Sequence, residues 1–143
     1  MKWLLRTGVG VLFTWPLALS AQEPAELLQP VATMKQLMLD FIHPASNSVL
    51  LAINRGGPAD DKEWADVRRG ALTLAESGNL LIMRNRTATW VADAKLLMDA
   101  GTAAYKAADA KDDRALAALA DRIDASCTTC HKQYRPNIFS NSR

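Results

Sequence analysis

Residues 88–108 read ATWVADAKLLMDAGTAAYKAA. Within this stretch Trp90, Ala94, Leu97, Gly101 and Ala104 recur at alternating steps of four and three. That spacing marks the seam of an α-helix packed into a bundle. Its small members would let a neighbouring helix approach closely. Before it, Arg84 to Thr87 makes a break. Before that, Asp60 and Glu63 form a capping box in which Asp takes the Ser/Thr role. The helix they open carries Trp64, Val67, Ala71, Leu74, Leu81 and Ile82 on its buried stripe to about Met83. Gly78 weakens it and leaves open an end near Ser77.

Further out, Asn54-Arg55-Gly56-Gly57-Pro58 is a loop. It follows a first helical segment, from about Ala25 to Ile53, with apolar positions at Val31, Met34, Met38, Phe41 and Ile42. Pro30 suits a first helical turn, whereas Pro44 lies inside the segment and should kink or break it. On the other side, a last segment starts near Asp112, carries Leu116, Leu119, Ile123 and Cys130 on one stripe, and ends around Tyr134 before Pro136. Helix is favoured almost throughout, and stretches with the period of two that marks a strand are scarce. Four helices with short connections predict an all-α fold, an antiparallel up-and-down four-helix bundle over residues 22–143.

The whole chain has 143 residues, 49% of them hydrophobic and 22% charged. One domain with a proper core fits that length, and the composition argues against wholesale disorder. Lys and Arg number 17 against 15 Asp and Glu. Lys2 and Arg6 account for the difference, so the rest of the chain is balanced. A nucleic-acid partner would call for a basic excess in the folded part, and that class is set aside.

The first residues read as an address. Met1 to Arg6 gives a positive start, Thr7 to Leu19 is a short apolar run, and Leu19-Ser20-Ala21 offers small residues for cleavage near Ala21–Gln22. This is the layout of a secretory signal peptide over residues 1–21. The run is interrupted by Pro16 and short for a bilayer core. The mature protein is therefore expected outside the membrane, exported to the periplasm. Export makes the two cysteines informative, because oxidising compartments turn cysteines into structural disulfides. Cys127 and Cys130 are only three residues apart, a loop too small to brace a fold.

They belong instead to Cys127-Thr128-Thr129-Cys130-His131, and Cys-x-x-Cys-His is the attachment sequence of c-type haem. On a helix, positions i, i+3 and i+4 share a face, so all three side chains project the same way. Two sulfurs can then bond the haem vinyl groups while His131 binds the iron from the same side. A thioredoxin-like dithiol uses the same two cysteines, but normally opens a helix within a βαβ pattern. A zinc site would need a fourth ligand, with His43 the remaining histidine. Neither Met nor His follows His131, so a sixth iron ligand must come from another helix. Met38 is the favoured candidate and Met34 the second, an i, i+4 pair on the first helix; ordinary core packing is the competing role for both. Met83 and Met98 read as core. His43 lies five residues beyond Met38, about 140° around an ideal helix, so the two are not expected to face one iron; a surface or capping histidine is its main reading, with bis-histidine ligation as the alternative. Arg135 could pair with a haem propionate, or simply complement the helix C-terminus. Trp64 and Trp90 could pack on a porphyrin, although single aromatics on helical stripes are more often core.

With these features the chain resembles the class II c-type cytochromes, the cytochrome c-prime family. The resemblance rests on the exported Ala-rich helical chain, the terminal Cys127-Thr128-Thr129-Cys130-His131 and the following Tyr134-Arg135. The stretches Leu37-Met38-Leu39-Asp40 through Pro44-Ala45 and Ala71-Leu72-Thr73-Leu74-Ala75 also look like proteobacterial members. It covers nearly all of residues 25–136. It implies one covalent haem c with its iron, anchored by Cys127 and Cys130, with His131 as proximal ligand. It further implies either one-electron transfer with redox partner proteins, or a five-coordinate iron that binds nitric oxide or carbon monoxide. No enzymatic role is implied, and a homodimer is compatible with the family. Pro44 departs from the family's uninterrupted first helix.

Overall fold

The computed structural model describes residues 29–137. The first helical rod has three parts in unbroken succession: α1 (Met34–Gln36), a π-helical stretch (Leu37–Ile42) and α2 (His43–Asn54). Then come α3 (Asp61–Arg84), α4 (Ala88–Asp109), the short α5 (Asp113–Ala117) and α6 (Ala120–Tyr134). No strand occurs among the described residues, and the chain is an all-helical bundle. The expected signal peptide, residues 1–21, lies outside the described residues.

Local chemistry sets the helix ends. Thr33 caps α1: its Oγ1 accepts the Gln36 N–H at 3.2 Å while Gln36 Oε1 accepts the Thr33 N–H at 2.9 Å. The first rod therefore begins at Met34, after Pro30 rather than around it, and the expected stretch 25–28 lies outside the described residues. At α3, Asp60 Oδ1 accepts the Glu63 N–H at 2.8 Å, but Glu63 reaches back to the N–H of Ala59, one residue before the cap. Where α2 ends, the Gly56 N–H bonds Ile53 O and the Gly57 N–H bonds Ala52 O, both at 3.0 Å. This pair of bonds is a Schellman closure, which needs a left-handed residue, supplied by Gly56 at φ 94°. The same closure ends α4, with Lys111 left-handed at φ 52°. Gly78 does not end α3, which continues to Arg84.

Helix α3 packs closely on α4, and their small residues explain why. A Cβ added at Gly101 would sit 2.9 Å from Ala75 Cα and 3.0 Å from Ala71 O; one at Gly78 would sit 2.9 Å from Ala94 O. Residue numbers therefore rise along α3 as they fall along α4, so the two run antiparallel. The first rod meets α3 through the Ser48 hydroxyl, which donates to Asp66 O at 3.3 Å. Trp90 joins three elements. Its indole N–H donates to Leu81 O at 2.8 Å, and its ring meets Tyr134 of α6 edge-on at 4.7 Å.

Leu37, Val49, Val67, Leu74, Leu116 and Ile123 form the most deeply buried part of the core. Each large apolar side chain so placed contributes about 1.5–3 kcal/mol relative to exposure. Two expected core positions are corrected. Val31 is 97% exposed, because the rod starts after it, and Phe41 is 46% exposed. Phe41 lies within the π-helical stretch, where an i→i+5 bond widens the turn and shifts the buried face. Leu37 takes the interior position instead. The buried hydroxyls are satisfied locally, Ser77 on Thr73 O, Ser46 on His43 O and Ser126 on Ile123 O.

No helix among the described residues is long and apolar enough to cross a membrane.

Candidate functional site

Two walls enclose a cavity of about 590 Å³. One is α6, with Cys127, His131 and Arg135. The other is the π-helical stretch and the start of α2, with Met38, Ile42, His43, Ser46 and Leu50. A small void of about 30 Å³ adjoins it toward α4, bordered by Asp93, Leu97 and Cys130. Met38, Ile42, Cys127 and His131 line both spaces. The three residues of the Cys-x-x-Cys-His motif therefore face one region, as their helical spacing dictates. The cysteines are both free and half-buried.

Burial pushes both thiols above their ordinary range. The Asp124 carboxylate adds to the effect at Cys127, against a hydrogen bond to Ser126, and Asp93 adds to it at Cys130. Neutral thiols at pH 7 are the opposite of the activated thiolate that a dithiol oxidoreductase employs. His131 is pushed the other way: burial and then the nearby Arg135 charge hold its pKa below the ordinary histidine value. Its imidazole is thereby kept neutral, the form with a free nitrogen lone pair for a metal.

Pro44 shapes the opposite wall. A proline in a regular α-helix lacks an N–H and drives its ring against the carbonyl four residues back. The rod answers with a widened turn just before Pro44 and continues, so the expected break is absent. The His43 N–H donates to Met38 O, five residues back. Turn geometry thus places Met38 and His43 on the same side, and both line the cavity. The ideal-helix angle that separated them does not apply here. Met34 packs against the core but does not line the cavity. Trp64 and Trp90 belong to the core and line neither space.

Lys35 and Arg135 supply two cations to the lining, and Asp124 an anion. The Arg135 N–H also closes the last turn of α6 on His131 O at 2.8 Å. Asp93 was not legible as a site residue. Its carboxylate Oδ2 is buried without a hydrogen-bond partner beside Cys130. The signal for it was an acid directly preceding Ala94 on the packing seam of α4. Lys35 likewise follows from its place one turn before Met38 and Leu39.

Among the described residues no group of three or more His, Cys, Asp or Glu is gathered to hold a metal ion. A protein-only zinc site relies on such a group. A haem iron asks the chain for one or two axial donors only, since the macrocycle supplies the rest. The donors here fit that demand: an imidazole and a thiol on one wall, the second thiol at the adjoining void, a thioether opposite, and a cavity of ordinary cofactor size. No protein-family model matches the chain, nor does any curated protein or solved structure.

Proposed function

We propose that this chain is an exported monohaem cytochrome of the class II, c-prime kind, an up-and-down antiparallel four-helix bundle that works in the periplasm as a one-electron carrier. One observation carries the reading. Cys127 and His131 of α6 line a cavity large enough for a cofactor, Cys130 borders the small void that adjoins it, and Met38 lines the facing wall. A bound haem supplies an iron that cycles between ferrous and ferric states.

The chain's own residues do the rest. Cys127 and Cys130 provide the thioether sulfurs that tether the group. His131 would offer the haem iron a nitrogen and Met38 a sulfur, a donor pair that would raise the reduction potential. Ile42 and Leu50 give the cavity apolar walls, and Leu97 does the same for the adjoining void. Lys35 and Arg135 stand where acidic haem edges can be paired. Electrons pass to and from redox partner proteins at the exposed edge of the cavity, and no substrate is chemically turned over.

The absorption spectrum of protein made in a host with haem-attachment machinery tests this reading. Six-coordinate low-spin iron in both oxidation states, unchanged on adding carbon monoxide, is the expected result. Five-coordinate iron that binds carbon monoxide or nitric oxide would replace electron transfer with the gas-binding role.

A further inference from the structure

The π-helical turn does more than accommodate Pro44. In an α-helix, residues 38 and 43 point about 140° apart. Here the His43 N–H reaches Met38 O, and a thioether and an imidazole come to line one cavity opposite Cys127 and His131. π-Turns of this kind occur frequently at functional sites. The two side chains differ in how firmly they are held. Met38 is partly buried against the core and borders the inner void as well. His43 is exposed, and the polar contact recorded for its ring is with Asn47 Nδ2, at the outer limit of 3.5 Å. Its imidazole is thus exposed and lightly held, whereas Met38 is placed by packing.

We infer that His43 is a second donor for the iron coordination position that Met38 serves, so that loss of the thioether is answered by the imidazole. This rests on the haem reading above. The exchange breaks an iron–sulfur bond and forms an iron–nitrogen bond; both donors are neutral and no electron moves. Replacement of sulfur by nitrogen also shifts the reduction potential, because a Met/His pair raises it. A backbone that stacks two unlike donors gives one haem two ligand states without a domain motion.

The test uses the full exported protein loaded with haem, in four versions: wild type, Met38→Ala, His43→Ala and the double variant. Ferric electron paramagnetic resonance and absorption report coordination, and a redox titration reports the potential. Wild type and both single variants should be low-spin and six-coordinate, with the potential of Met38→Ala below that of wild type. The double variant alone should become high-spin and five-coordinate. High-spin iron in Met38→Ala would overturn the inference, showing that the imidazole does not reach. So would high-spin iron in wild type or in His43→Ala, or low-spin iron in the double variant. His43 is exposed, so its replacement does not threaten folding. Protein of bare polypeptide mass would instead overturn the haem reading itself, a result distinct from all of these.

Discussion

Gly101→Ala should destabilise the fold, although an exposed helix glycine normally gains stability from the same change. Alanine gains about 1 kcal/mol over glycine in helix propensity. Against that, the new Cβ would lie 2.9 Å from Ala75 Cα and 3.0 Å from Ala71 O, and closer still to Ala75 N. All three are backbone atoms in the middle of α3, so relief requires the two longest helices to move apart. Overpacking of this sort costs about 1–3 kcal/mol. Because the obstruction is backbone, the upper half of that range applies, and the net loss is about 1–2 kcal/mol. In urea denaturation followed by circular dichroism the midpoint should fall with the slope unchanged. Thermal unfolding should show a drop of roughly 4–8 °C per kcal/mol. A variant as stable as wild type, or more so, would refute the close approach of α3 and α4.

Trp90→Phe keeps most of the aromatic volume but removes the indole bond to Leu81 O, which still accepts the Asn85 N–H, so it should cost about 0.5–1.5 kcal/mol in the same urea assay. No loss would mean that the indole bond is replaced by water. Ile123→Ala, at a fully buried core position of α6, should cost about 2–5 kcal/mol, again by denaturation. The polypeptide made without haem offers a pH test. Since burial raises both thiols, Cys127 and Cys130 should alkylate slowly at pH 7 and faster only as pH climbs past the ordinary thiol value. The same shift sets a sign for stability: a thiol raised in the fold favours folding below its unfolded pKa, and that contribution is lost as pH rises through the folded value. Rapid alkylation at pH 7, measured by mass, would contradict the desolvation.

Much of the bundle was legible because periodic burial writes itself into sequence. The seam Trp90, Ala94, Leu97, Gly101 and Ala104 is buried throughout, and the Asp60 cap and the Arg84–Thr87 break fall where expected. The common face of Cys127, Cys130 and His131 follows from helical geometry in an uninterrupted segment. The first rod resisted the same treatment for one reason. Angular reasoning assumes one turn geometry, and Pro44 imposes another on the residues before it. Ideal-helix spacing places Phe41 inside, where it is exposed, passes over Leu37, which is buried, and sets His43 apart from Met38 although both line one cavity. Gly78 misled in the opposite sense. Its lack of a side chain weakens a helix locally, yet it serves the close contact with Ala94 and Met98 that holds α3 on α4. Asp93 stands out locally only as an acid beside the α4 seam; its neighbour Cys130 is a tertiary contact that sequence spacing does not reveal.

The intact mass of protein made in a host with export and haem-attachment machinery, measured after denaturation and thiol alkylation, tests the central proposal most directly. The account expects the mass of the processed chain plus one haem, with neither Cys127 nor Cys130 alkylated. A chain of bare polypeptide mass that takes up two alkyl groups would contradict it.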